Sequence, residues 1–100
     1  MTKYLLGIDN GLTNSKAVLF DTNGNEVAVS RRSFEVSSPH VGWVEANAET
    51  LWEKTVDCIR EVIASAGIDA ADIGGIGCCA YGNGAFFVAK DGKPSYPALG

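Results

Sequence analysis

The amino-acid sequence predicts an α/β fold in which a mixed β-sheet, led by an antiparallel three-stranded meander, is covered on one face by one long helix. Three observations predict it. Candidate strands at residues 4–9, 16–21 and 26–34 are separated by short polar turns that contain glycine. Leu51, Trp52, Val56, Ile59 and Ile63 then recur at helical spacing. A further apolar run, residues 73–80, follows the helix.

The first strand, residues 4–9, ends on the carboxylate of Asp9, and the second spans 16–21. Thr22, Asn23, Gly24 and Asn25 make a hairpin signal, because Asn-Gly tolerates the positive φ angles of tight turns. Residues 26–34 complete the meander. Around Pro39 the chain is expected to be irregular, with a brief extended piece at Trp43 and Val44. Asn47 is the expected helix N-cap and Gly67 the stop. Between them Glu53, Lys54, Asp57, Arg60 and Glu61 fall mostly opposite the apolar positions.

After a polar link at 69–72, the small-residue-rich run 73–80 suits a buried strand, with residues 81–84 as its exit loop. Residues 85–89 form a fifth strand, closed by a turn at Asp91 and Gly92. The order strand, strand, strand, helix, strand is that of a ribonuclease-H-like half-domain, in which the fourth strand returns to the meander after the helix.

Composition narrows the function classes. The chain has 100 residues, 46% hydrophobic and 20% charged, which is ordinary for one small globular domain. A net charge of -4, with Arg31 and Arg32 the only adjacent basic residues, argues against nucleic acid or an anionic membrane as partner. No apolar stretch approaches the roughly 20 residues of a membrane-spanning helix, and no secretory signal pattern is present, so a cytoplasmic location is expected. Of the three cysteines, Cys78 and Cys79 are neighbours, which builds neither a disulfide framework nor a CxxC metal pair; buried free thiols are expected.

The residues most suited to chemistry are Asp9, Asn10, Gly11, Leu12, Thr13, Asn14, Ser15 and Lys16, in the turn between the first two strands. Glycine lets backbone approach a bulky anion, Thr13 and Asn14 add neutral donors, and Lys16 adds a compact charge. Asp9 could hold Mg²⁺ through water. Each suits a nucleotide phosphate. The bland reading of the same residues is an ordinary hairpin, with Asn-Gly making the turn and Asp-Lys a surface ion pair. The pattern differs from the P-loop, which sets Gly-Lys-Ser/Thr at the mouth of a helix.

Gly7-Ile-Asp-Asn-Gly-Leu-Thr-Asn-Ser-Lys-Ala-Val-Leu-Phe-Asp21 resembles the first phosphate motif of the FGGY carbohydrate kinases, within the actin, hsp70 and sugar-kinase superfamily. Gly42-Trp-Val-Glu45 with Trp52 downstream is similar to a second family element. Ile76 and Gly77, leading into a polar loop, match the place of a substrate-contacting loop in these kinases.

The resemblance implies ATP and Mg²⁺ as cofactors, a sugar or polyol as acceptor, and phosphate contacts from Gly11, Leu12, Thr13, Asn14 and Lys16. It further implies Asp9 at the metal and Tyr81, Gly82 and Asn83 at the substrate. The catalytic Asp and the adenosine-binding domain are expected beyond residue 100. Residues 1–100 would then be the N-terminal part of the first, sugar-binding domain, inactive alone and leaving apolar faces for the remainder of the kinase chain to cover. A homodimer is left open.

Leu12 departs from the family's usual Thr, which leaves only its backbone amide for phosphate. Gly82 and Asn83 stand where the resemblance implies Arg-Glu in glycerol kinases and Met-His in xylulose kinases. The segment Tyr81-Gly-Asn-Gly84 looks closest to L-xylulose kinase-like members, so a ketopentose or related polyol is expected. A rival reading is a non-catalytic, nucleotide-binding member of the same superfamily; another is an interaction module whose first loop is only a hairpin.

Other features carry less. Gly75-Ile-Gly77-Cys-Cys-Ala80 fits a dinucleotide fingerprint formally, yet it follows a helix and lies in a strand, the wrong context. His40 reads as a loop histidine, and Trp43 and Trp52 as packing residues.

Overall fold

Turn chemistry closes the meander. In the computed structural model, which describes residues 2–80, 82 and 84–100, strand β1 (Tyr4–Asn10) pairs antiparallel with β2 (Asn14–Asp21), and β2 with β3 (Glu26–Ser33). The β2–β3 turn is organised by Asp21. Its Oδ1 accepts the amides of Asn23 and Asn25, both at 2.9 Å, and its Oδ2 accepts the Asn25 side-chain amide at 3.0 Å. These bonds, the Asn25 side chain foremost, hold the Asp21 carboxyl below its ordinary value. Gly24 supplies the φ of 86° that the turn requires.

Helix α1 (Ala48–Ala66) starts and stops where its caps dictate. Asn47 accepts the amides of Glu49 and Thr50 through its side chain, and Gly67 ends the helix in the left-handed region at φ 66°. The helix covers β2 and β3 and, less extensively, β1. Its buried row is Thr55, Cys58 and Val62, set against Leu6, Ala17 and Leu19. Trp52 lies off this row. The face expected to carry it is turned toward the 55/58/62 line, and Trp52 stays 65% exposed instead of packing.

Strand β4 is the pair Glu45–Ala46, two residues later than the extended piece expected at Trp43 and Val44. Glu45 fixes the position by exchanging both backbone hydrogen bonds with Ser37, each 2.8 Å. After a short 3-10 turn at Ala70–Asp72, β5 (Ile73–Ala80) runs parallel to β1, and the sheet order is β3-β2-β1-β5. That is the returning strand expected from the element order.

The strand is not buried, however. β5 is the sheet's edge and most of it is exposed, because α1 reaches across the meander and leaves it uncovered. Cys78 and Cys79 are therefore exposed thiols, contrary to expectation, while Cys58 is buried with Sγ 3.4 Å from the Ser15 carbonyl.

A second sheet was only partly foreseen. β6 (Ala85–Val88) pairs with β7 (Pro94–Leu99), and β7 with β4, in the order β4-β7-β6. Phe34, Ala46 and Ala98 form a small core between the sheets, flanked by Val36 and Leu51. The face of the first sheet away from α1 exposes Leu5, Val27 and Val29. Among the described residues no helix is long and apolar enough to cross a membrane.

Candidate functional site

Antiparallel register places side chains directly opposite one another on the same face. Asp9 pairs with Lys16 across β1 and β2, and Lys16 with Arg31 across β2 and β3. A carboxylate and two cations therefore stand in one row, on the face away from α1. Together with Gly11 and Asn14 they line an open cleft of about 350 Å³ at the end of the hairpin.

The loop between β1 and β2 is braced from below. Thr55 of α1 donates to the Leu51 carbonyl at 2.8 Å and also lies 3.1 Å from Asn10 Oδ1, while the fully buried Ser15 hydroxyl sits 3.3 Å from it. These bonds satisfy polar groups that would be costly to bury alone and tie both strand ends to the helix. On the outer side Ser33 donates to Asn14 Oδ1 at 3.1 Å, Asn14 Nδ2 donates to the Thr13 hydroxyl at 3.1 Å, and the Phe34 amide donates to the Thr13 carbonyl at 3.0 Å.

Backbone donors of the loop divide into two sets. The Gly11 amide closes the hairpin on the Asn14 carbonyl at 2.9 Å. No hydrogen bond with the described residues takes the amides of Leu12 and Thr13. The Leu12 side chain turns toward the second sheet, where a Cβ built on Gly100 would meet it at 3.1 Å.

Gly11 itself is not demanded by the hairpin. Its φ is not positive, and a Cβ there would meet only the Asn14 carbonyl, at an ordinary 3.6 Å. The bland reading also needed Asp9 and Lys16 to form an ion pair. Among the described residues the ion pairs are Lys3 with Asp72 and Arg32 with Glu61, and neither involves the cleft.

The donor set fits a phosphate chain: two unspent amides, a hydroxyl on Thr13 and the cations Lys16 and Arg31. For a divalent cation the fit is looser. Among the described residues no cluster of three or more His, Cys, Asp or Glu is placed to hold a metal, so Asp9 would act through water.

The expected substrate residues Tyr81 and Asn83 lie outside the described residues, and Gly82 is an exposed turn residue. His40 packs edge-on against Trp43, with ring centroids 4.5 Å apart, as a loop histidine would. Sequence reasoning missed Arg31. Its only signal is register, which requires the β2–β3 pairing to be known.

A model of the FGGY family of carbohydrate kinases, N-terminal domain, matches residues 4–100. The chain is 40% identical over 100 residues to a glycerol kinase from Marinomonas sp. (strain MWYL1), covering 99% of the chain and 20% of that relative. Its fold superimposes on a crystal structure described as a xyloylose kinase from Brucella ovis with a TM-score of 0.90 and 27% identity, over 96% of the chain and 20% of that structure. A xylulose kinase from Rhodospirillum rubrum gives a TM-score of 0.87 and 26% identity, over 97% of the chain and 20% of that structure. The chain thus spans about a fifth of the length of the proteins it matches.

Proposed function

Because the chain belongs to the FGGY family of carbohydrate kinases, we propose that it forms part of the first domain of a cytoplasmic enzyme that transfers the γ-phosphoryl group of ATP to a hydroxyl of a sugar or polyol. In that reading the P–O bond to ADP breaks, a new P–O bond forms to the acceptor oxygen, and the hydroxyl proton passes to a carboxylate beyond residue 100. MgATP supplies the transferable group. The residues at hand would position it: the Leu12 and Thr13 amides, the Thr13 hydroxyl and Lys16 would receive phosphate oxygens, and Asp9 would hold Mg²⁺ through water, the ion supplying charge neutralisation at the phosphates.

The observation that carries this reading is Gly11. Nothing in the hairpin's own geometry calls for glycine there, and it lines the cleft beside two cations that have no ion-pair partner among the described residues. An open backbone edge is what a bulky anion needs for close approach. For the acceptor, Gly82 and Asn83 favour a ketopentose or related polyol over glycerol, although the Marinomonas relative is named a glycerol kinase.

The test is a coupled assay of ADP formation by the full-length protein over ketopentoses, pentitols and glycerol. The expected result is turnover that depends on MgATP and is fastest with a ketopentose. Turnover with glycerol alone would overturn the acceptor, and nucleotide binding without turnover on any of them would favour a non-catalytic role.

A further inference from the structure

We propose that Arg31 is a second phosphate-binding cation of the cleft, contacting the nucleotide polyphosphate beside Lys16; this rests on the kinase reading above. Three observations carry it. Arg31 stands directly across from Lys16 in the β2–β3 register, on the face that carries Asp9. It lines the same cleft as Asp9, Gly11, Asn14 and Lys16. Like charges placed opposite each other on antiparallel strands destabilise a sheet, and no acidic residue of the described chain forms an ion pair with either cation. Asp9 answers the charge of Lys16 across β1 and β2, whereas Arg31, on the edge strand β3, has no acidic partner among the described residues, which leaves its charge for something outside the chain.

Charge arithmetic points the same way. Asp9 and Lys16 cancel, so the row is neutral without Arg31 and carries one net positive charge with it. The guanidinium also presents a rigid planar fork that matches two phosphate oxygens at once, a geometry the Lys16 ammonium lacks. Its neighbour Arg32 is committed elsewhere, to Glu61 of α1 and the Ser30 hydroxyl, and so cannot substitute.

The experiment uses the full-length protein with Arg31→Gln and Arg31→Lys. MgADP and MgATP affinities are read by calorimetry, the acceptor KM by steady-state kinetics, and stability by thermal unfolding. For Arg31→Gln the expectation is nucleotide binding weakened about fivefold to tenfold, as for loss of one exposed charge-assisted contact. Its salt dependence should be shallower, the acceptor KM unchanged and the unfolding temperature equal or higher, since a like-charge contact is removed. Arg31→Lys should recover part of the affinity.

Nucleotide affinity within twofold of the parent would overturn the proposal and leave the kinase reading standing. So would a lowered unfolding temperature with unchanged affinity, which would make Arg31 structural. No MgADP or MgATP binding by the parent protein would overturn both.

Discussion

Replacing Gly11 by alanine separates the fold of the hairpin from its use. In the folded chain the new methyl meets only the Asn14 carbonyl, at 3.6 Å, and φ is not in the left-handed region, so the native state loses nothing by steric strain. The unfolded chain loses freedom, which stabilises by about 0.4–1 kcal/mol. Stability should therefore be unchanged or slightly raised.

Binding responds differently, because the methyl enters otherwise open space in the cleft. Holding a phosphate oxygen away from the Leu12 and Thr13 amides removes about one charge-assisted hydrogen bond. That is worth about 1.5–3 kcal/mol, or roughly a tenfold to hundredfold loss of affinity. Thermal unfolding and calorimetry with MgATP on the full-length Gly11→Ala protein read both quantities. Unchanged affinity would refute the argument that the glycine serves an incoming anion. A clear drop in stability would refute the argument that the hairpin does not need it.

Two further outcomes concern the bracing of the loop and the tie between β3 and α1. Thr55→Val keeps the shape of the side chain but removes the hydroxyl shared by Leu51, Asn10 and the buried Ser15, so denaturant unfolding should show a loss of about 1–3 kcal/mol; a loss below about 0.3 kcal/mol would contradict the network. Glu61 is held below its ordinary value first by the hydrogen bond from Arg32, so its contribution is present above the unfolded carboxylate value, near pH ~4, and is lost as pH falls through the lowered folded value. The stability gap between the parent and Glu61→Gln should accordingly be open at neutral pH and close in acid. A gap independent of pH would show that the ion pair does not couple β3 to α1.

The meander and helix were legible because local chemistry determines them. Asp21 and Gly24 make the turn, and Asn47 and Gly67 bound the helix through their own side chain and φ. Less legible was whatever depends on distant partners. β7 carries Pro94 and Pro97, which argue against a strand, yet Pro94 is its first residue and Pro97 falls outside the paired positions. The apolar run 73–80 reads as buried from composition alone, but burial depends on what covers it, and α1 lies over the meander instead.

At the candidate site the loop from Asp9 to Lys16 was visible as a motif. The division of its amides and the place of Arg31 were not. Both follow from register: which carbonyl closes the hairpin, and which residue of β3 falls opposite Lys16.

In the kinase reading, the backbone between β1 and β2 receives nucleotide phosphates. Amide hydrogen exchange of the full-length protein with and without saturating MgADP tests it most directly, because the amides of Leu12 and Thr13 have no hydrogen-bond partner among the described residues. MgADP should slow exchange in peptides spanning residues 11–16, while peptides of the β2–β3 turn at 22–25 should not change. Saturating MgADP binding with no slowing at 11–16 would contradict it.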